Sequence, residues 1–145
     1  MTELELSIRI EASPTTVFRY FTDPDRMCEW QGVEAELEPR PGGLYKVNVT
    51  GRDTALGSYV EVVPDERVVF TWGWEGNDGV PPGSSTVEVT LTPDGDDTIV
   101  RLRHFGLPDD DAAKRHTEGW DHYLERLQVV AAGGDPGRDT YLDAQ

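Results

Sequence analysis

The feature that most constrains this fold is a long amphipathic segment near the end of the chain, residues 109–134. At about 100° per residue, ten of its residues, most of them apolar, share one helical face about 140° wide. They are Ala112, Ala113, His116, Gly119, Trp120, Tyr123, Leu124, Leu127, Val130 and Ala131. Three acids open the segment and two glycines close it, which favours a helix with a left-handed cap. A helix of roughly 23 residues is about 34 Å long and is not stable alone, so it needs a wide partner.

Composition narrows the class of protein. The chain has 145 residues and a net charge of −15, from 28 acids and 13 bases, and Lys46 and Lys114 are its two lysines. Nucleic acids and anionic membranes both require a basic patch, so neither is a predicted partner. With one cysteine, Cys28, no internal disulfide is possible, and no apolar run reaches the length of a membrane span. We expect a cytoplasmic protein with one domain over residues 1–134 and a loosely ordered tail over 135–145.

The first third of the chain predicts one strand and two short helices. Leu4, Leu6, Ile8 and Ile10 alternate with polar residues, as in a half-buried strand. Ser13-Pro14 is a helix start signal, and Asp23-Pro24 repeats it at once. The second helix is expected to run to about Trp30.

About six further strands follow, separated by turns rich in glycine, proline and aspartate. A longer connection, residues 76–84, is predicted to be a mobile hairpin loop. The alternating sets are a weak strand at 33–38, then Tyr45/Val47/Val49, Ser58/Val60/Val62, Val68/Phe70/Trp72/Trp74, Val87/Val89/Leu91 and Val100/Leu102/His104. Short turns favour an antiparallel meander. The sequence therefore predicts an α+β fold in which a curved antiparallel sheet of six to seven strands wraps around the long C-terminal helix.

This order of elements resembles the START-like superfamily, also called SRPBCC or Bet v 1-like. Within it, the chain most resembles the AHSA1-like branch, named after the C-terminal domain of the Hsp90 ATPase activator. The resemblance rests on Ile10-Glu11-Ala12-Ser13-Pro14 with Val17-Phe18, Trp30, Pro41-Gly42-Gly43 with Tyr45 and Gly57, Pro64-Asp65-Glu66-Arg67-Val68-Val69-Phe70-Thr71-Trp72, the strand from Ser85 to Pro93, and His116-Thr117-Glu118-Gly119-Trp120 with Leu124 and Leu127. It implies a helix-grip fold with an apolar cavity between helix and sheet. Relatives bind lipids, hormones or polyketides, and some are aromatases or cyclases.

Nine residues are candidates for lining such a cavity, because their positions are inward-facing and most are aromatic. They are Trp30, Tyr45, Phe70, Trp72, Trp74, His104, His116, Trp120 and Tyr123. The alternative for each is that it fills the core and leaves no room for a ligand.

His104 and His116 are also the weak catalytic candidates. If they converge, two imidazoles and a water could move a proton near neutral pH; the alternative is two unrelated buried histidines. His122 is expected to face solvent, and Cys28 to be inert because no base is placed to activate it. No metal-ligand spacing, phosphate loop or dinucleotide fingerprint is present, so neither a metal nor a cofactor is predicted.

Three functions follow as hypotheses. The first is a binding protein for a small apolar or aromatic molecule. The second is an aromatase- or cyclase-like enzyme that acts on a polyketide-like substrate through His104 or His116. The third, which rests on the resemblance, is a co-chaperone of an Hsp90-type ATPase. A homodimer is left open.

Overall fold

The computed structural model describes residues 2–143 and confirms the predicted helix-grip architecture. Seven strands form one antiparallel sheet in the order β1-β7-β6-β5-β4-β3-β2. The strands are β1 Thr2–Ile10, β2 Glu34–Leu37, β3 Leu44–Asn48, β4 Thr54–Val63, β5 Arg67–Trp72, β6 Ser85–Asp94 and β7 Asp97–Leu107. The helices are α1 Pro14–Thr22, α2 Pro24–Met27, α3 Asp110–Ala131 and a short 3-10 helix at Thr140–Asp143.

Side-chain caps start all three α-helices, as the sequence signals indicated. Ser13 accepts a hydrogen bond from the backbone N–H of Thr16, and Asp23 accepts one from that of Asp25. These bonds satisfy donors that have no partner inside the helix. The second helix is shorter than predicted: it ends at Met27, and i→i+3 bonds tighten the chain into a turn before Trp30.

The alternating pattern gives the correct face for most strands, but β4 departs from it. The register shifts between Tyr59 and Glu61, where β4 pairs with β5. Before the shift, Tyr59 has the same parity as the buried Ala55 and lies in the core, whereas Val60 is 52% exposed. The Tyr59 hydroxyl donates to the carbonyl oxygen of Phe21 at 2.9 Å, so the buried phenol has a partner. An irregularity of this kind re-aims side chains without a signature in the hydrophobic pattern.

The long helix α3 lies mainly against the edge strand β1, with further contacts to β7 and α1. Asp109 caps its first turn by accepting from the N–H of Ala112 at 2.8 Å. At the other end, Gly133 has a φ of +94° and Gly134 donates back to the carbonyl of Val129 at 2.9 Å. The predicted glycine stop is therefore present.

No helix within residues 2–143 is long and apolar enough to cross a membrane.

The segment after α3 buries more than the sequence suggested. Asp139 is 6% exposed, and Tyr141 packs against the hydrophobic core. Arg52 donates to the carbonyl oxygens of Tyr141 and Leu142 at 3.2 and 3.1 Å. Arg126 of α3 donates to the carbonyl oxygen of Gly137 at 3.0 Å. Residues 135–142 are thus tied to the domain by hydrogen bonds as well as packing.

Candidate functional site

A cavity of about 650 Å³ lies between α3 and the sheet. This volume falls within the range of small-molecule sites in proteins, roughly 300–1,000 Å³. The loop that follows β5 and the turn that follows α2 complete its wall, and exposed residues at its mouth leave it partly open. Its lining consists of Gln31, Val49, Asp53, Trp72, Trp74, Glu75, Gly76, Asn77, Asp78, Val80, Arg115, His116, Gly119, Trp120 and Tyr123.

The structure divides the nine predicted site residues into two groups. Five of them line the cavity: Trp72, Trp74, His116, Trp120 and Tyr123. The other four are buried in the core and do not line it: Trp30, Tyr45, Phe70 and His104.

Aromatic packing explains why three of those four lie away from the cavity. Tyr45 stacks on Phe70 with ring centroids 4.0 Å apart and planes inclined by 11°. Trp30 meets Phe21 edge to face at 5.3 Å. Its indole N–H donates to the carbonyl oxygen of Tyr20 at 2.9 Å, which fixes the ring beneath the short helices. These rings fill volume that an amphipathic pattern alone cannot distinguish from a pocket wall.

His104, which is 0% exposed, is held by hydrogen bonds on both ring nitrogens. The indole N–H of Trp120 donates to His104 Nδ1 at 3.1 Å. That donor fixes the tautomer, so Nε2 carries the proton and donates to Ser85 Oγ at 2.8 Å. Ser85 in turn donates to the backbone carbonyl of Trp72 at 2.8 Å. Burial, with the nearby His116, lowers the pKa of His104 to about 3, so this ring is neutral at physiological pH.

His116 lies one turn before Trp120 on α3 and forms part of the cavity wall. Its Nδ1–H donates to the carbonyl oxygen of Ala112 at 2.8 Å, and its Nε2 accepts from the indole N–H of Trp74 at 3.0 Å. Burial lowers its pKa despite the favourable bond to Ala112, and Arg115 lowers it further. His116 is therefore a neutral residue that anchors Trp74 at the cavity mouth.

The two histidines come together, with ring centroids 5.0 Å apart and planes inclined by 86°. Their arrangement differs from a proton shuttle, however, because all four ring nitrogens are already bonded to protein groups. A general acid or base must reach the reacting proton directly or through one water. In this geometry His104 positions Trp120, and His116 positions Trp74.

Tyr123 is held in the cavity wall by Asp139, which lies in the segment after α3. Its hydroxyl donates to Asp139 Oδ2 at 2.8 Å, and His122 Nε2 lies 2.8 Å from Asp139 Oδ1. Burial alone raises the pKa of Asp139, but hydrogen bonds from His122, Tyr141 and Tyr123 lower it overall. The expectation that His122 faces solvent is wrong: its side chain is 22% exposed and stacks on Tyr141, with centroids 3.8 Å apart. The periodicity of α3 cannot predict this contact, because Tyr141 lies in the tail and outside the helix.

Several lining residues have no clear signature in the sequence. Gln31 follows the second short helix, and Val80 is a lone apolar residue inside a glycine- and proline-rich loop, which is a weak signal of burial. The sequence places Gly119 on the apolar face of the helix, but it does not show that the absence of a side chain there leaves open space. Apart from its chain neighbours and the backbone of its own helix, a Cβ atom built on Gly119 meets no atom within 4 Å, so the cavity begins directly at the helix backbone.

Metal-ligand geometry is not found in the part of the chain that the structure describes. Among residues 2–143, no group of three or more His, Cys, Asp or Glu side chains is placed to hold an ion. Cys28 is half-buried, and burial raises the pKa of its thiol, with smaller contributions from Asp25 and Glu34. A raised thiol pKa disfavours the nucleophilic thiolate.

Comparison with known protein families shows which family the chain belongs to. The model of the family described as Activator of Hsp90 ATPase homolog 1-like protein matches residues 11–132. The chain belongs to this family. The match confirms the resemblance drawn from the strand and helix motifs. Among curated proteins, no sequence matches the chain.

Solved structures support the same assignment. An AHSA1-like protein from Rhizobium etli is 50% identical, with a TM-score of 0.76, and the match covers 95% of this chain and 86% of that one. DynU16, a protein of the dynemicin biosynthetic locus, is 23% identical with a TM-score of 0.80, over 94% of this chain and 49% of that one. The Aha1 dimer from Colwellia psychrerythraea is 18% identical with a TM-score of 0.79, over 92% and 98%. At these lower identities, the last two show a shared fold.

Proposed function

We propose that this protein binds a small apolar or aromatic molecule in the cavity between α3 and the sheet. The observation that carries the proposal is a volume of about 650 Å³ beside four aromatic side chains. They are Trp72, Trp74, Trp120 and Tyr123. Flat, rigid rings of this kind bind planar ligands at low entropic cost, because each has only two side-chain torsions to fix.

The hydrogen bonds behind these rings favour binding over acid–base catalysis. Trp120 is held by His104, Trp74 by His116 and Tyr123 by Asp139, at 3.1, 3.0 and 2.8 Å. Three wall residues are therefore preorganised before a ligand arrives. Preorganisation raises affinity because these side chains are already ordered and lose little conformational entropy when the ligand binds.

A neutral fluorescent probe tests the proposal directly. N-phenyl-1-naphthylamine, whose emission rises in apolar surroundings, should bind the purified protein and quench its tryptophan fluorescence. Gly119→Phe places a ring into the open space beside the helix, so it should abolish both signals. Gly119→Ala is the matched control, because its methyl group is small relative to the cavity. An unchanged response in Gly119→Phe would place the probe elsewhere and contradict the proposal.

The enzymatic alternative is supported by the fold shared with DynU16, a protein of a biosynthetic locus. For a polyketide-like substrate, His116 is the stronger candidate of the two histidines, because it lines the cavity and His104 does not. To act, its Nε2 must exchange the indole N–H of Trp74 for a substrate group. This alternative requires His116→Ala to lose turnover and keep binding; loss of both together would remove it.

A third proposal, action on an Hsp90-type ATPase, is supported by the description of the family. The net charge of −15 would suit a basic patch on such a partner. Affinity capture of a purified Hsp90-type ATPase, repeated at high salt, tests it. Absence of a complex at low salt would remove this role and leave the cavity proposal untouched.

A further inference from the structure

The segment that follows α3, residues 135–142, is bonded to three elements that wall the cavity, and we call it the strap. Arg52, in the turn between β3 and β4, donates to two carbonyl oxygens of the strap at 3.2 and 3.1 Å, and its neighbour Asp53 lines the cavity. Arg126 on α3 donates to a strap carbonyl at 3.0 Å and to the turn after α2 at 3.1 Å. That turn carries Gln31, which also lines the cavity. The strap therefore joins parts of the wall that are distant in sequence.

The central attachment is Asp139, the one buried residue of the strap. Its Oδ2 accepts from the hydroxyl of Tyr123 at 2.8 Å, and its Oδ1 accepts from the backbone N–H of Tyr141 at 2.9 Å. The same Oδ1 lies 2.8 Å from His122 Nε2, which carries the proton because an ionised carboxylate only accepts. Since Tyr123 lines the cavity, one short hydrogen bond links the strap directly to the binding wall.

The rest of the strap has little buried surface to keep it closed. Apart from Asp139 its residues are exposed or half-buried, and Tyr141 is its contact with the hydrophobic core. The bonds from Arg52 lie at the surface. Segments with few buried apolar contacts open locally at a lower free energy than the whole domain unfolds. The strap can thus detach while the sheet and α3 remain folded.

On the basis of the binding function proposed above, we propose that the closed strap raises the affinity of the cavity by holding Tyr123 in the position that a ligand contacts. Asp139 is a positioning residue, since it does not line the cavity and acts through Tyr123. When the strap opens, the Tyr123 hydroxyl loses its acceptor, and the ligand must order the ring at an entropic cost. Because coupling is reciprocal, a bound ligand also holds the strap closed.

Hydrogen exchange of the wild-type protein tests this reciprocity without a mutation. The backbone N–H groups of Tyr141 and Leu142 donate to Asp139, so they exchange when the strap opens. With saturating N-phenyl-1-naphthylamine, their exchange should slow at least about fivefold, the lower end of typical coupling between sites. Amides of the turn between β6 and β7, which does not line the cavity, are the internal control and should not change. Equal exchange of the strap with and without the probe would overturn the proposal.

Asp139→Ala removes the central attachment and should weaken binding of N-phenyl-1-naphthylamine at least about fivefold. Asp139→Asn is the matched variant, because its amide oxygen can accept from Tyr123 while its nitrogen donates to the other tautomer of His122. It should therefore restore most of the affinity. Circular dichroism shows that each variant is folded at the temperature of the titration. Wild-type affinity in folded Asp139→Ala would contradict the role of the strap.

Tyr123→Phe breaks the same hydrogen bond from the cavity side and keeps the ring in the wall. If Asp139 acts through Tyr123, the double variant Asp139→Ala/Tyr123→Phe should bind the probe no more weakly than the weaker single variant. A general loosening of the fold would instead multiply the two losses, and that result would overturn the proposed route.

The same titrations separate this proposal from the binding function. If the wild type binds the probe and Asp139→Ala binds it equally well, the strap does not control the cavity, and the binding function stands. If the wild type does not bind the probe, the binding function falls and the coupling falls with it.

Discussion

The two halves of α3 share one amphipathic pattern but meet different surroundings. In the C-terminal half, Leu124, Leu127 and Ala131 are buried in the hydrophobic core. In the N-terminal half, His116 and Gly119 lie on the same stripe and face a cavity. The helix presents a continuous apolar face, which packs in the hydrophobic core along one half and borders the cavity along the other. Amphipathicity therefore specifies which side of a helix is covered, and not whether protein or a ligand covers it.

The largest effect should come from truncation in the C-terminal half. Leu127 is fully buried, so Leu127→Ala should lower the free energy of unfolding by about 2–5 kcal/mol, through lost burial and the new cavity. Urea denaturation followed by circular dichroism measures this. Glu125→Ala, at an exposed position on the same helix, is the control and should change stability by less than about 0.5 kcal/mol. A loss below about 1 kcal/mol for Leu127→Ala would mean that this half is loosely packed as well.

The second effect is a pH dependence of the folding stability. It arises from His104, which is bonded to Trp120 at the boundary between the two halves of the helix. The pKa of His104 falls from 6.5 to about 3 on folding, so the unfolded chain binds more protons between these values. The stability linked to this residue is full above pH 6.5 and is lost as the pH falls, by roughly 1.4 kcal/mol per pH unit down to about pH 3. The lowered pKa of His116 acts in the same direction.

His104→Gln separates this contribution from the many carboxylates. The glutamine amide can accept from Trp120 and donate to Ser85 as the imidazole does, but it does not titrate. Chemical denaturation at pH 6.5, 5.5 and 4.5 should show a shallower loss of stability in the variant than in the wild type. Identical slopes would mean that His104 does not supply the pH dependence.

The smallest effect is a gain in stability from a substitution in the N-terminal half of α3. Gly119→Ala should raise the free energy of unfolding by up to about 1 kcal/mol, because alanine favours the helix and its Cβ enters open space. Differential scanning calorimetry measures the gain. Gly134→Ala is a contrasting control, since its Cβ would lie 3.0 Å from a Val129 methyl and no gain is expected. A destabilised Gly119→Ala protein would indicate that the space beside the helix is closed in solution.

Much of the fold could be predicted because its signals are local. Proline after serine or aspartate marks where α1 and α2 begin, and Gly133 marks the end of α3. The departures have a tertiary cause. Tyr59, and not Val60, lies on the core side of β4, next to the point where its register with β5 shifts, and His122 is covered by the ring of Tyr141 from the tail. Neither relation is encoded in the spacing of residues along one element.

The candidate site was only half predictable for the same reason. Phe70 and Trp72 share one face of β5, yet Phe70 stacks on Tyr45 and Trp72 lines the cavity. The sequence left open whether His104 and His116 converge; they do, with ring centroids 5.0 Å apart, but their hydrogen bonds hold Trp120 and Trp74. The unpaired Gln31 has no sequence signature, because a polar residue after a helix is ordinarily solvated.

By itself, the sequence determined the element order, the antiparallel sheet, the apolar stripe of α3 and the family, because periodicity, capping and turn chemistry act between near neighbours in the chain. The tertiary structure decided where a cavity remains between the sheet and α3, and which aromatic rings line that cavity. It also decided which buried polar atoms remain unpaired. Those properties depend on volume and on partners far apart in sequence, and close packing resolves them only once all the elements are in place.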